Sequence, residues 1–190
     1  MSEENYRNQK IVFAGGCFWC TEASFNPEFG VVSATSGYIG GHIKNPNYSQ
    51  VSSGDTGAVE VVEVVYNPEN NNFKRLLVNF WKGIDPTDAG GQFADQGSQY
   101  HTGIYYFNEE QKKLAEESKQ ILENSKKFSS PIVVPIIDGT NLDFTPAEEY
   151  HQKYAEKNEL HYNMYKKGSG RAGFIHDNWE NDHTFDEFVK

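Results

Sequence analysis

Two cysteines, three positions apart, carry the clearest chemistry in this chain. Cys17 and Cys20 lie in the run GGCFWC and are the only cysteines among 190 residues. An apolar stretch that predicts a strand precedes them, and a run that predicts a helix follows, so Cys17 falls at a helix N-terminus. The N–H groups and dipole there favour negative charge, which predicts a lowered pKa and a reactive thiolate at Cys17. Cys20, one turn deeper, is placed to attack Cys17 once that sulfur is oxidised.

A strand rich in valine offers a candidate proton donor. Residues 58–66 read AVEVVEVVY, and alternation puts Glu60 and Glu63 on opposite, mostly apolar faces. Burial raises a carboxyl pKa, each unit reflecting about 1.4 kcal/mol, and an acid still protonated near neutral pH can donate its proton. Alternation does not choose between Glu60 and Glu63. A carboxylate at a strand end, paired with Lys or Arg, is the ordinary alternative for either.

Aromatic residues near the cysteines and in the loops are candidates for substrate contact. Phe18 and Trp19 lie between the two cysteines. They indicate either core packing or an apolar wall beside the sulfur, suited to a small hydrophobic group. Tyr48 and Tyr100 can donate hydrogen bonds to a substrate oxygen, although most of the 11 tyrosines must be structural.

Two long segments, residues 40–57 and 85–99, predict no regular element. Structureless connections of this length in a compact domain are usually functional or disordered. They contain Tyr48 and Asp95 among other polar residues. Ordinary surface connection is the alternative.

Histidines raise the question of a metal site. His42 or His101 can be imagined as zinc ligands together with the two cysteines. A structural zinc site normally takes four ligands, and only one cysteine pair exists, so we expect no metal.

Composition and charge bound the class of protein. The chain is 37% hydrophobic with a formal net charge of −10, which predicts one folded domain and argues against nucleic-acid binding. Residues 1–10 lack the apolar core of a secretory signal, and no apolar run is long enough to span a bilayer. Two close cysteines do not make the disulfide framework of a secreted domain, so we expect a cytoplasmic location.

Hydrophobic periodicity and turn residues predict the following elements. Strands are expected over residues 10–14, 31–38, 58–66, 103–107, 132–137 and 142–145. Helices are expected over residues 17–26 and 73–82, from the cap Asn108 to about Lys127, and from the cap Thr145 through Lys157. The first six elements run βαββαβ, which predicts an α+β fold: a ferredoxin-like split βαβ plait with a mixed, mainly antiparallel sheet, flanking helices and long loops. We expect a single catalytic domain over residues 1–190 whose last part, from about residue 159, is an extended C-terminal tail that is either packed on the domain or loosely held by it.

Several motifs in the same order resemble the A-type peptide-methionine sulfoxide reductases. They are GCFW, then GYIGGHIKNPNYSQVSSGDTGAVEVVEVVYNP, then FADQGSQYH, within a similarity from about residue 12 to residue 154. The resemblance implies a thiol-dependent oxidoreductase with the α+β plait. Its substrate would be the S epimer of methionine sulfoxide, free or in proteins, which is reduced to methionine through a cysteine sulfenic acid.

The resemblance also implies roles for individual residues. The family's nucleophile falls on Cys17, the aromatic pair that holds the substrate methyl group on Phe18 and Trp19, the acid on Glu60, the two tyrosines on Tyr48 and Tyr100, and a supporting acidic residue on Asp95. Many relatives carry resolving cysteines in a glycine-rich C-terminal tail, whereas residues 165–171 here contain none. We therefore expect Cys20 to close a disulfide with Cys17, reopened by a thioredoxin-like reductant. The alternative is that Cys20 is a buried small hydrophobe and outside thiols reduce the sulfenic acid directly.

Two other functional classes stay open from the residues alone. A thioredoxin-like dithiol oxidoreductase would also begin with strand, CxxC and helix, but leaves the Glu60 strand and both loops unexplained. A non-catalytic zinc or redox-sensing module would bind metal or lose a partner on oxidation. For the reductase we expect oxidised proteins, peptides or free methionine sulfoxide and a thioredoxin-like protein as partners, no bound cofactor, no membrane and a monomeric state.

Overall fold

A six-stranded mixed sheet forms the centre of the protein in a computed structural model that describes residues 8–70 and 73–190. The strands are β1 (Gln9–Gly15), β2 (Val31–Gly40), β3 (Ala58–Tyr66), β4 (Gly91–Gln92), β5 (Asp95–Gln96), β6 (Thr102–Tyr106), β7 (Ile136–Asp138) and β8 (Phe144–Pro146). The helices are α1 (Phe18–Phe25), α2 (Tyr48–Ser52), α3 (Phe73–Lys82), α4 (Glu109–Ser125), α5 (Tyr154–Lys157), α6 (Glu159–Gly168) and α7 (Arg171–Trp179), with a 3-10 turn at Ser98–Tyr100.

The sheet order is β7-β6-β1-β3-β2-β8, and β4 pairs with β5 separately. All neighbouring strands are antiparallel except the pair β6 and β7. The predicted α+β class, with helices flanking a mixed and mainly antiparallel sheet, is confirmed.

The valine-rich strand β3 lies inside the sheet, between β1 and β2. Val61, Val62 and Val64 are fully buried, because neighbouring strands and helices cover both faces. In the register with β2, Glu60 lies opposite Tyr38. The position of β3 therefore keeps Glu60 away from solvent.

The turn from β1 into α1 places Cys17. Gly16 has φ +77°, and a Cβ added there would lie 2.5 Å from the Cβ of Gln92. Only glycine fits both the backbone conformation and the close approach. This turn brings Cys17 to the start of α1, beside the end of the sheet.

Both long segments contain short elements that periodicity did not predict. In residues 40–57, Asn47 caps α2 through a reciprocal pair of hydrogen bonds with Gln50. In residues 85–99, β4 and β5 form a small hairpin, followed by the 3-10 turn. Each element is at most five residues long, too short for a periodic signal.

The predicted helix from Thr145 through Lys157 is wrong. Residues 144–146 form β8 at the edge of the sheet, with Thr145 opposite Tyr38, and only residues 154–157 are helical. A Thr-Pro pair suits the start of a helix. Proline is also tolerated in an edge strand, because the side of that strand that faces away from the sheet needs no N–H donor for hydrogen bonds between strands.

The C-terminal part, expected to be an extended tail packed on the domain or loosely held by it, contains the helices α6 and α7. Trp179, Phe185 and Phe188 are buried in the main hydrophobic core, so this segment is integrated into the fold. None of the helices within the described residues is long and apolar enough to cross a membrane. The assignment of all 190 residues to one catalytic domain stays a prediction.

Candidate active site

Cys17 and Cys20 occupy the first turn of α1, with Cys17 as its N-cap residue. The backbone N–H of Cys20 donates to the carbonyl oxygen of Cys17 at 3.2 Å. Both thiols are free, and the two residues are buried, with exposed fractions of 6% and 5%. Each thiol shifts the pKa of the other, so the two side chains lie close together. The pair is therefore positioned for direct sulfur–sulfur chemistry.

The carboxyl group of Glu60 lies at the same helix N-terminus. Its Oε2 accepts a hydrogen bond from the backbone N–H of Phe18 at 3.0 Å, and Phe18 directly follows Cys17. Glu60 is 2% exposed, and burial raises its pKa to about 8, with further upward effects from Asp95 and Cys20. At pH 7 this group is mostly protonated, so a carboxyl group able to donate a proton lies beside Cys17.

Glu63 has a different environment on the other face of β3. Its carboxylate pairs with Lys10 Nζ at 3.2 Å and is partly exposed. This is the ordinary ion pair that the sequence left open for either glutamate. The structure places Glu60, and not Glu63, beside the cysteines.

The pKa of Cys17 differs from the sequence expectation. Burial raises it well above its ordinary value, and the neighbouring Cys20 and Glu60 raise it further, while a hydrogen bond from Tyr165 lowers it. The expected lowering is therefore wrong for the substrate-free protein. The physical reason is burial, which disfavours the charged thiolate more strongly than the start of the helix favours it.

The aromatic pair between the cysteines splits into two environments. Phe18 is buried and packs against the rings of Tyr38, Tyr48 and His151. Trp19 is only partly buried, and its Nε1 donates to His151 Nδ1 at 3.0 Å. Phe18 thus joins the core, and Trp19 presents an apolar surface closer to solvent.

A row of aromatic side chains covers Trp19. Tyr154 of α5 stacks on its ring with a centroid separation of 3.9 Å and an interplanar angle of 7°. Tyr165 of α6 meets the ring edge-on at 6.0 Å. The indole therefore lies between two tyrosines supplied by the C-terminal helices.

The two predicted tyrosines lie within electrostatic range of Glu60. Burial raises the pKa of Tyr48 and of Tyr100, and the charge of Glu60 is the next cause for both. These phenols consequently stay protonated and can donate hydrogen bonds at neutral pH. The backbone N–H of Tyr48 donates to Glu148 Oε1 at 2.8 Å, which fixes the start of α2 at the site.

Tyr165 links Asp95, the predicted acidic residue, to Cys17, the predicted nucleophile. Its hydroxyl donates to Asp95 Oδ2 and also forms a hydrogen bond with Cys17. The nearby Tyr162 of the same helix forms a hydrogen bond with Cys20. Sequence reasoning missed both residues. The available signal was their spacing of three, which puts them on one face of a helix.

The histidines and cysteines that could be imagined as zinc ligands do not share one environment. His42 and His101 are exposed, whereas both cysteines are buried. Within residues 8–70 and 73–190, no group of three or more His, Cys, Asp or Glu side chains is arranged to hold a metal ion.

Comparison with known proteins decides the family. The sequence pattern of the family "Peptide methionine sulfoxide reductase" matches residues 9–183. The chain belongs to the peptide methionine sulfoxide reductase family.

Curated relatives and solved structures agree with this assignment. The peptide methionine sulfoxide reductase MsrA of Bacillus subtilis (strain 168) is 50% identical over 173 residues, which cover 91% of this chain and 97% of the relative. The MsrA of Bacillus pumilus is 48% identical, with 91% and 96% covered. The reduced form of Mxr1 from Saccharomyces cerevisiae superposes with a TM-score of 0.73 at 30% identity, covering 83% and 90% of the two chains. Methionine sulfoxide reductase A of Corynebacterium diphtheriae gives 0.71 at 29% identity, covering 83% and 78%.

The resemblance predicted from the motifs is thereby confirmed, and so is the enzyme class, an oxidoreductase. In this member of the peptide methionine sulfoxide reductase family, the C-terminal helices supply Tyr162 and Tyr165 to the cysteine pair. The individual roles predicted for Cys17, Glu60 and their neighbours stay predictions.

Proposed function

We propose that this protein reduces the S epimer of methionine sulfoxide, free or in proteins, with Cys17 as the nucleophile. The observation that carries the proposal is the buried carboxyl of Glu60 at the amide next to Cys17. A sulfoxide oxygen carries partial negative charge and needs a proton before its bond to sulfur breaks. With a pKa of about 8, Glu60 still holds that proton at neutral pH, unlike an ordinary glutamate.

In the proposed reaction, Glu60 gives its proton to the sulfoxide oxygen while the sulfur of Cys17 attacks the sulfoxide sulfur. This attack forms a bond between the two sulfurs, and the protonated oxygen becomes a hydroxyl group on the substrate sulfur. The hydroxyl then moves to the Cys17 sulfur: a new S–O bond forms on Cys17 while the S–S bond and the original S–O bond break, and methionine leaves. Two electrons have passed from Cys17 to the substrate, and Cys17 is now a sulfenic acid. The proton lost from the Cys17 thiol returns to Glu60, so the titrations of acid and nucleophile are coupled.

Tyr48 and Tyr100 supply further donors to the oxygen. Both phenols stay protonated, and the charge of Glu60 reaches both. Donors that are fixed before the reaction and strengthen in the transition state contribute roughly 10²–10³ in rate each. Asp95 takes a supporting role, since it orients a hydroxyl or a water within the same site.

Trp19 and Phe18 form the apolar wall for the substrate methyl group. The partly exposed Trp19 makes the contact, and the buried Phe18 packs against Tyr48 and His151. The hydrogen bond from Trp19 Nε1 to His151 fixes the plane of the indole.

Recycling proceeds through a disulfide between Cys17 and Cys20, reopened by a thioredoxin-like reductant. The shared first turn of α1 and the mutual effect of the two thiols on their pKa values support this route. Among the structural neighbours, Mxr1 of Saccharomyces cerevisiae has been solved in complex with Trx2. Direct reduction of the sulfenic acid by outside thiols is the rival, with Cys20 only structural.

The remaining assignments complete the proposal. The antiparallel core order β6-β1-β3-β2 supports a ferredoxin-like plait. We assign the protein to protein repair under oxidative stress in the cytoplasm, as a monomer without a bound cofactor.

Turnover of resolved sulfoxides tests this function. Methionine S- and R-sulfoxides are supplied separately, first with a thioredoxin system and then with a glutathione system. We expect reduction of the S epimer alone, with loss of activity in Cys17→Ser. Equal turnover of both epimers would contradict the proposed specificity, and disulfide exchange without any sulfoxide turnover would indicate a thioredoxin-like oxidoreductase instead.

The recycling route has its own test by mass spectrometry. After one turnover without reductant, the peptide spanning residues 17–20 should have lost two hydrogens. The variant Cys20→Ser should instead carry a sulfenic acid on Cys17 that a dimedone probe traps. A trapped sulfenic acid in the parent protein would favour direct reduction by outside thiols.

A further inference from the structure

A buried arginine from the C-terminal segment lies next to the cysteine turn. Arg171, the first residue of α7, is 3% exposed. Its Nη1 donates to the carbonyl oxygen of Gly83 at 2.7 Å, and its Nη2 donates to that of Gly15 at 2.9 Å. These bonds hold the guanidinium between the end of β1 and the end of α3.

The positive charge of Arg171 has no carboxylate partner within the part of the chain that the structure describes. Buried charges are normally paired, because their removal from water is unfavourable by several kcal/mol per ion. Two neutral carbonyl groups satisfy its hydrogen bonds, and its guanidinium lies 4.7 Å from the ring centroid of Phe93, but none of these partners carries a formal negative charge. An anion beside Arg171 would be stabilised.

A small cavity joins this arginine to the second cysteine. Its volume is about 40 Å³, and Cys20, Lys166 and Arg171 line it together with Thr21, Ser24 and apolar side chains. Lys166, from α6, also forms no ion pair with an Asp or Glu of the described residues. Two cations and one thiol therefore share a space with little room for water.

We propose that Arg171, assisted by Lys166, holds Cys20 as a thiolate that attacks the oxidised Cys17. Both are positioning residues for the recycling step, since they act through Cys20 and do not touch the substrate. This role rests on the proposed function, in which Cys17 becomes a sulfenic acid.

The groups facing Cys20 support this assignment. The pKa of Cys20 is lowered to about 7, first by the hydrogen bond from Cys17, and then, against the opposing effect of burial, by Arg171, Tyr162 and Lys166. Glu60 of β3 is also within electrostatic range of Cys20. Because Glu60 is mostly protonated at pH 7, it adds little negative charge against a thiolate.

The recycling step balances without any added oxidant. The Cys20 thiol releases its proton, and the thiolate attacks the sulfur of the Cys17 sulfenic acid. The new S–S bond forms as the S–O bond of Cys17 breaks, and the departing hydroxide takes up one proton to become water. Thiol and sulfenic acid are thereby converted to a disulfide and water.

Direct titration of Cys20 tests the proposal without turnover. In a Cys17→Ser background, which keeps a hydrogen-bond donor at position 17, the alkylation rate of Cys20 by iodoacetamide is followed against pH. We expect Arg171→Met to raise the pH midpoint of the alkylation rate by about one pH unit or more. Arg171→Lys should bring the midpoint most of the way back to that of the Cys17→Ser background, and Lys166→Met should raise it by less than Arg171→Met. Lys167→Met is the matched control, because it removes an exposed charge from the same helix and should leave the midpoint in place.

Disulfide closure gives the second readout. With Cys17 intact, stoichiometric S-sulfoxide is added, and closure is quenched and followed by mass, separately from the methionine formed. Arg171→Met should slow closure roughly tenfold at pH 7, and raising the pH should recover the rate. An unchanged alkylation midpoint in both Arg171→Met and Lys166→Met would overturn the proposal. If Arg171→Met does not fold, Lys166→Met against Lys167→Met decides it. If the parent protein forms no methionine, the proposed function is contradicted. An unshifted alkylation midpoint contradicts only the proposed role of Arg171 and Lys166, so the two failures can be told apart.

Discussion

The carboxyl of Glu60 and the backbone amide of Phe18 are joined by a hydrogen bond of 3.0 Å across 42 positions of sequence. This contact ties the centre of the sheet to the start of the cysteine helix. It places the proposed acid beside Cys17, the proposed nucleophile, whose pKa is raised by burial. We therefore expect thiol activation to require transfer of the Cys17 proton, because the helix terminus alone does not keep the pKa of Cys17 low.

Replacement of Trp19 tests the apolar wall. Trp19→Ala should raise KM about tenfold or more, corresponding to about 1.4 kcal/mol of lost contact, with a smaller effect on kcat. Trp19→Phe is the matched control, since it keeps an aromatic surface and loses only the bond to His151. Steady-state kinetics with S-sulfoxide measures both. An unchanged KM in Trp19→Ala would show that the indole serves packing alone.

Tyr165 lies beside Cys17, the proposed nucleophile, in the substrate-free protein. A substrate that reaches the buried Cys17 must displace the Tyr165 hydroxyl from Cys17 and Asp95. A hydrogen bond to a charged group is worth about 1.5–3 kcal/mol, so Tyr165→Phe should lower KM roughly tenfold. Tyr106→Phe, which removes a phenol hydroxyl from β6, should leave KM unchanged. A higher KM in Tyr165→Phe would instead show that this hydroxyl binds the substrate.

Burial of Glu60 makes stability depend on pH. Its pKa is raised from 4.5 to about 8 in the folded protein, so the unfolded chain loses this proton first. Below about pH 4.5, Glu60 is protonated in both the folded and the unfolded protein, so this group makes stability no different from one pH to the next. Between pH 4.5 and about pH 8, the free energy of unfolding falls as pH rises, by about 1.4 kcal/mol for each unit by which the two pKa values differ. Above about pH 8 the loss is complete.

Glu60→Gln removes this titration and keeps an oxygen that can accept from Phe18. Denaturant unfolding should show the variant more stable than the parent at pH 8.5, with a much smaller difference at pH 4.5. Glu63→Gln, which alters the partly exposed ion pair with Lys10, is the control. A parent whose stability is flat between these pH values would mean that Glu60 ionises normally.

Local patterns in the sequence predicted the cysteine turn and the central strand well. The glycines before Cys17 and the valines around Glu60 reflect local steric and burial requirements, which a sequence shows directly. The choice between Glu60 and Glu63 was not local, because alternation separates two faces without saying which one the cysteine helix covers.

Contacts from the C-terminal segment could not be predicted in the same way. Tyr165 and Arg171 reach the cysteines from about 150 positions away, and their placement depends on the packing of two helices that lack a strong apolar stripe. The helix predicted from Thr145 was wrong because Thr145 and Pro146 suit the start of a helix and an edge strand equally. Tertiary context decided between these two structures.

The rate of methionine formation in a single turnover, measured against pH, tests the role of Glu60 most directly. Reduced enzyme is mixed with S-sulfoxide without added reductant, for the parent and for Glu60→Gln. We predict that the parent rate falls as pH rises through about 8, where Glu60 loses its proton. We also predict that Glu60→Gln is roughly 10²–10⁴ slower and lacks this decline. A Glu60→Gln variant with the parent's rate and pH profile would contradict Glu60 as the proton donor.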